Sequence, residues 1–235
     1  MGGVLSSGGG VVDVPGLAPL DDYDPRQLGP YVLEGRLGDG GMGSVCLGRR
    51  VDGPVDSPGA SDGVGPPVAV KVIRADLARI PEFRARFLRE AQAAQRVPRA
   101  FTAGVLDVDT DGSRPYLVTE YIDGPTLSAH VRTRGPLLDS DLERFADAVV
   151  SALRVIHAAG IVHRDLKPSN IILSRVGARV IDFGIARALD ATTMLTQGAI
   201  GTPAYMAPEQ ALGEPVTEAA DIHAWGAVLL YAVTL

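Results

Sequence analysis

The sequence predicts an α+β protein built as two lobes, with strands gathered in its first half and helices in its second. Three observations carry that expectation. Short apolar runs with strand character recur at 31–33, 45–47, 68–73, 105–106 and 116–120. Beyond residue 140, apolar residues instead return every third or fourth position, the period of a half-buried helix. The 235 residues suffice for one medium domain or for two lobes sharing a cleft.

Taken in order, residues 1–27 read as a mobile tail, glycine-rich first and then acidic at Asp21-Asp22-Tyr23-Asp24 before Pro25. Order is expected from about residue 28, with 31–33 leading into a glycine turn and 45–47 continuing as a second strand. Residues 50–67 are a loop by composition, and 68–73 resume strand character. Pro81 suits the first turn of a helix over 81–97. Phe83, Phe87 and Ala94 share one face of it, and Glu90 falls inside that apolar stripe. After strands at 105–106 and 116–120, Ser140 and Glu143 have capping-box spacing. Leu142, Phe145, Ala146, Val149, Leu153 and Ile156 then line one helical face, which Gly160 is placed to end. The small lobe is expected over about 28–121 and the large lobe over about 122–235.

Bulk properties exclude several function classes. Net charge is −6 and no block of five or more basic residues occurs, so a nucleic-acid footprint is missing. The single cysteine, Cys46, forbids an internal disulfide and suits a reducing compartment; between Val45 and Leu47 it reads as a packed thiol. The N-terminus lacks the basic and continuous apolar regions of a signal peptide, and no apolar stretch is long enough to span a bilayer. The expectation is a cytoplasmic protein.

Four short segments carry chemistry. Glycines at 38, 40 and 43 of Gly38-Asp39-Gly40-Gly41-Met42-Gly43-Ser44-Val45 let backbone N–H groups approach phosphate oxygens. A dinucleotide-binding fold would need a helix next, where Val45-Cys46-Leu47 reads as a strand; a Walker A loop would need lysine where Ser44 stands. Lys71 sits in an apolar run, where an isolated ammonium is costly. Pairing with Glu90 would resolve both misplaced charges, leaving Lys71 to face the α- and β-phosphates while Val45 and Ala69 cover the adenine from above. The alternative is a solvated strand end and an exposed Glu90.

The loop His163-Arg164-Asp165-Leu166-Lys167-Pro168-Ser169-Asn170 is the most specific segment. Asp165 can accept a proton from a hydroxyl, Lys167 can neutralise a transferring phosphoryl group, and Asn170 offers an amide oxygen to Mg²⁺. Asp182, in Asp182-Phe183-Gly184, supplies a carboxylate for a metal bridging phosphates. Phe183 is expected to pack beneath the Glu90 helix, with Gly184 allowing a sharp turn.

In this order the four segments resemble the protein kinase superfamily, above all the bacterial eukaryotic-like (Hanks-type) Ser/Thr kinases, over residues from about 28 to 235. The resemblance implies a bilobal protein-kinase-like fold with a β-rich N-lobe and a helical C-lobe. It implies a non-specific Ser/Thr protein kinase of intracellular signalling, using ATP with Mg²⁺ or Mn²⁺ on protein substrates, itself included. Leu37, Asp39, Gly41 and Met42 would join the nucleotide-binding turn. Thr119 would be the gatekeeper, and Glu120 and Ile122 would offer backbone hydrogen bonds to adenine. Ala207-Pro208-Glu209 resembles the close of the activation segment, and Gly201-Thr202-Pro203-Ala204-Tyr205 the substrate-docking stretch before it.

Arg164 before Asp165 is the pattern of members switched on by activation-loop phosphorylation. Thr196, then Thr193 and Thr192, are the acceptor candidates, or else plain loop-formers. A phosphate there would add about −1.5 to −2 charge to pair with Arg164. Asp221 opens a segment resembling the central helix of the large lobe, with His223 and Ala224 departing from the usual residues. The sequence stops at Leu235, inside that helix, without the arginine that usually pairs with Glu209. The face of Val228, Leu229, Leu230 and Val233 would then lack cover, which points to a fragment or to capping by a partner or self-association. An ATP-binding module with little catalysis is the second reading.

Overall fold

A computed structural model describes residues 14, 16–40, 42–51, 65–182 and 203–234. Six antiparallel strands form the first sheet: β1 (Gln27–Leu28), β2 (Tyr31–Gly40), β3 (Gly43–Arg50), β4 (Pro67–Ile73), β5 (Val105–Asp109) and β6 (Tyr116–Glu120). Their order across the sheet is β1-β2-β3-β4-β6-β5. Between β4 and β5 lie α1 (Ala75–Ala78) and α2 (Pro81–Ala94). The helical part begins with α3 (Leu127–Arg134) and α4 (Asp139–Ala158). A hairpin of β7 (Ile171–Ser174) and β8 (Gly177–Val180) follows, then α5 (Pro208–Ala211) and α6 (Glu218–Val233).

Strand alternation splits the sheet into two faces. Cys46, Val68, Val70 and Val118 turn one way, into a cluster closed by Leu28, Tyr31, Leu33 and Tyr116. Val45, Leu47, Ala69, Lys71, Leu117 and Thr119 turn the other way, as the registers Val45↔Lys71, Lys71↔Leu117 and Ala69↔Thr119 require. On that side α2 buries Phe83, Phe87, Ala91 and Ala94 in the larger core, which continues through Phe145, Val149, Leu153 and Ile156 of α4. Each buried aromatic ring contributes about 1.5–3 kcal/mol.

The predicted strands and helices are present, with instructive differences. The acidic segment read as tail is packed: Ala18 and Arg36 exchange both backbone hydrogen bonds, at 2.9 and 2.7 Å. Gly35 makes room, because a Cβ there would lie 2.7 Å from Leu17 Cγ. Composition missed this because the charges of the segment are answered by Arg36, which lies beyond it. The helix expected to reach residue 97 ends at Ala94, and Val97 is buried beyond it.

Ser140 does not cap α4; the N-cap is Leu138, without a side-chain bond, and Asp139 and Asp141 occupy the first turn. Carboxylates there suit the positive end of the helix, so the capping box is dispensable. The face of α6 is also corrected. Val228 is fully buried with Ala224 and Ala232, Leu229 is partly buried, and Leu230 and Val233 are exposed. The inward stripe follows the four-residue helical step through Ala220, Ala224, Val228 and Ala232, which the run of leucines disguised. No helix among the described residues is long and apolar enough to cross a membrane.

Candidate active site

The loop between α4 and β7 is held from beneath by Asp221 of α6, whose side chain is fully buried. Its Oδ2 accepts the His163 N–H at 2.7 Å and lies 2.7 Å from His157 Nε2; its Oδ1 accepts the Arg164 N–H at 2.8 Å. His163 Nε2 lies 3.1 Å from the Ile181 carbonyl, which can only accept, so Nε2 carries the proton. Nδ1 is then free to accept the Asp165 N–H at 3.3 Å. Burial pushes the imidazole below its usual range against the pull of Asp221 and Asp165, which favours this neutral form. One ring thus orients the backbone before Asp182 and the backbone of Asp165.

Around Asp165 the side chains converge. Its Oδ2 lies 3.0 Å from Lys167 Nζ. Asn170 Nδ2 donates to the Asp165 carbonyl at 2.9 Å and toward Oδ2 at 3.3 Å. With its nitrogen spent there, Asn170 has its amide oxygen left for a cation. The Ile181 N–H donates to the Asn170 carbonyl at 2.9 Å, so Asn170 and Asp182 sit on neighbouring strand ends.

Asp182 meets Lys71 across the lobes: Nζ donates to Oδ1 at 2.8 Å. Partial desolvation works against its ionisation, but Lys71, with His163 and Lys167, holds its carboxyl below the usual carboxylate range. Arg164 and Asp182 both adopt left-handed backbone, at φ 63° and 58°. For non-glycine residues that costs about 1–3 kcal/mol each, and such strain gathers at functional sites.

The expected Lys71–Glu90 pair is not formed; the ammonium pairs with Asp182 instead. Glu90 Oε2 is buried with no hydrogen-bond partner among the described residues. Burial pushes its carboxyl above the usual range, opposed by Arg164, Arg86 and Arg89. The helix is seated by Phe83 and Phe87 and tied by Arg84 to the Thr110 and Gly112 carbonyls. That anchorage, rather than Glu90, sets where the carboxylate lies.

The glycine turn is a hairpin in which the three glycines differ. A Cβ on Gly43, at φ 149°, would lie 1.8 Å from the Val72 carbonyl oxygen, so packing against β4 demands glycine there. Among the described residues, nothing lies within 4 Å of such a Cβ on Gly38. Met42 reaches back onto the main core, and its carbonyl accepts the Arg74 N–H at 2.9 Å. Leu37 is half-buried, while Asp39 and Gly40 are exposed at the tip.

Thr119, Glu120 and Ile122 line the connection between the lobes, all partly exposed. The Glu120 N–H goes to the Gly104 carbonyl at 3.0 Å, and its side chain pairs with Arg99 at 3.1 Å. Glu209 lies on α5, partly exposed. Gly41, Phe183, Gly184, Thr192, Thr193, Thr196 and Thr202 lie outside the described residues. Sequence reasoning missed Arg36 and Gln210. The acidic run at 21–24 was a signal for the first, since clustered carboxylates invite a cation; nothing local marked the second.

The described donor set suits a hard divalent cation held jointly with phosphate: one amide oxygen, Asn170, and one carboxylate, Asp182. No group of three or more His, Cys, Asp or Glu side chains that could hold a metal occurs among the described residues, so phosphate oxygens and water would complete such a shell.

Comparison with known proteins agrees with this geometry. Probable serine/threonine-protein kinase PkwA of Thermomonospora curvata is 48% identical over 219 residues, 93% of this chain and 28% of that protein. Serine/threonine-protein kinase AfsK of Streptomyces coelicolor is 43% identical over 217 residues, 92% of this chain and 26% of that protein. The chain therefore spans about a quarter of the length of these curated relatives. The crystal structure of the Mycobacterium tuberculosis PknI kinase domain superposes with a TM-score of 0.65 at 28% identity, over 87% of this chain and 72% of that one. The family model described as protein kinase domain matches residues 31–235, and it takes in every converging side chain above. On sequence, fold and site alike, the chain belongs to the protein kinase domain family.

Proposed function

We propose that this chain moves the γ-phosphoryl group of ATP onto Ser or Thr hydroxyls of protein substrates, its own included. The observation that carries this is the convergence of Lys71, Asp165, Lys167, Asn170 and Asp182 where two lobes meet. The names of the relatives support the same chemistry. Residues 28–235 would form the kinase domain, with the lobes meeting near residue 121.

The nucleotide would lie under the hairpin of β2 and β3, against Leu37, Val45 and Ala69, with adenine toward the backbone of Glu120 and Ile122. Thr119 would border it. Lys71 would hold phosphate oxygens once these replace Asp182 as its partner. Asp165 would accept the proton as the substrate Oγ attacks phosphorus and the bond to the β-phosphate oxygen breaks, releasing ADP. Lys167, 3.0 Å from that carboxylate, would stabilise charge on the transferring group. A divalent cation, Mg²⁺ for its preference for oxygen ligands, would be held by Asn170 and Asp182 and would neutralise phosphate charge. The cytoplasm, where ATP is available, is the compartment this reading requires.

One observation favours a second reading, a nucleotide-binding module with little turnover: Lys71 is engaged by Asp182 and Glu90 stands apart. Incubation with labelled ATP and Mg²⁺, beside an Asp165→Asn control, decides between them. Label on the wild type and little on the control is expected. Equal label on both defeats the catalytic reading, and ATP binding without label establishes the second.

A further inference from the structure

We propose that Gln210 is a positioning residue for the catalytic loop, one side chain that fixes the peptide group between Arg164 and Asp165 and ties it to the segment before α5. The inference rests on the reading of Asp165 as the proton acceptor. Gln210 belongs to the single helical turn of α5, and both ends of its amide are used. Its Oε1 accepts the Ala207 N–H at 3.2 Å, and its Nε2 donates to the Arg164 carbonyl at 3.0 Å, across 46 positions of sequence. The orientation of the amide is not arbitrary. An N–H needs the oxygen and a carbonyl needs the nitrogen, so a flipped amide would satisfy neither.

The placement matters because of the backbone it holds. Arg164 is left-handed, at φ 63°, a conformation that an L residue keeps only when its surroundings impose it. Its N–H is donated to Asp221 of α6, at 2.8 Å. Its carbonyl is gripped by Gln210 of α5. The two peptide groups flanking the strained residue are thus clamped by side chains from two different helices. The second clamp abuts Asp165, whose carboxylate must meet an incoming hydroxyl. If the Gln210 grip is lost, the Arg164–Asp165 peptide can rotate toward ordinary backbone, carrying that carboxylate away from Lys167 and Asn170. The same amide binds Ala207, so the end of the segment that docks substrate and the loop that performs chemistry share one rigid link.

Two substitutions separate this role from simple helix capping. Gln210→Glu keeps an oxygen for the Ala207 N–H but removes the donor to the Arg164 carbonyl. Gln210→Met preserves shape and removes both bonds. The readouts are backbone hydrogen exchange over 163–170, the thermal midpoint, and kcat and KM for ATP and for a Ser- or Thr-containing peptide. Both variants are expected to exchange faster over 163–170, with the midpoint moved by less than about 3 °C. Both should lose on the order of 10- to 100-fold in kcat, with KM for ATP unchanged.

Wild-type exchange and kcat in Gln210→Met overturns the proposal. So does a Gln210→Glu variant that behaves as wild type while Gln210→Met is impaired, since only the bond to Ala207 would then matter. A lowered midpoint without faster local exchange also overturns it. Should the wild type transfer no phosphate, the kinase reading falls. The exchange arm then still decides whether Gln210 holds the loop.

Discussion

The Lys71 ammonium lies 2.8 Å from the Asp182 carboxylate, joining residues 111 positions apart and bridging the small-lobe sheet to the strand pair beside the catalytic loop. The lysine side chain is 15% exposed and the aspartate 36%, so the pair is neither a free surface contact nor sealed from water. A second carboxylate, Glu90, is partly buried, and its Oε2 has no hydrogen-bond partner among the described residues. The two acids are pushed in opposite directions, Asp182 down by Lys71 and Glu90 up by burial.

The opposite shifts give opposite dependences on pH. A lowered native value means that the stability Asp182 contributes is complete above its usual 3.8 and is lost as pH falls through the native value. A raised native value means that Glu90 favours the fold below its usual 4.5 and costs stability as pH rises through the native value. Replacing Glu90 with Gln removes that cost, so Glu90→Gln should unfold at a higher temperature than wild type at neutral pH. The gain should shrink to nothing near pH 4.5 and below. Thermal unfolding at the two pH values checks it, and a variant less stable at neutral pH would contradict it.

Gly43 and Gly38 should respond differently to the same substitution. Gly43→Ala forces a Cβ to within 1.8 Å of the Val72 carbonyl oxygen at a positive φ, so strand β3 must part from β4. The expected cost is about 1–3 kcal/mol for backbone strain alone. Gly38→Ala meets no atom within 4 Å among the described residues and should leave the thermal midpoint unchanged while weakening ATP binding, because the added methyl stands where phosphate would approach. Melting curves and a nucleotide titration of both variants separate a structural glycine from a ligand-facing one.

Arg36 is the anchor of the acidic segment. Its guanidinium meets Asp21 at 2.6 Å, Asp24 at 2.7 Å and Asp39 of the glycine turn at 3.3 Å. Arg36→Ala should release residues 16–24 from β2, seen as faster hydrogen exchange and easier proteolysis there. Raised salt should have a smaller effect in the same direction on the wild type, since screening weakens the exposed pairs with Asp21 and Asp39. Unchanged exchange in Arg36→Ala would show that the two Ala18–Arg36 backbone bonds suffice.

The sequence by itself determined the family, the order of strands and helices, and the identity of the side chains that gather between the lobes. Those are local properties: a lysine set in an apolar run, a loop of eight residues, a period of two or of 3.6. What only the tertiary structure decided is partnership. Whether Lys71 takes Asp182 or Glu90 depends on where Phe83, Phe87 and Arg84 seat α2. That Asp21 and Asp24 are bound rather than solvated depends on Arg36 lying across from them. That Gln210 holds the Arg164 carbonyl depends on two helices reaching one strained residue from far apart in the chain. A charge shows in sequence that it needs a partner, but when several lie within reach, packing energies spread over the whole core select among them.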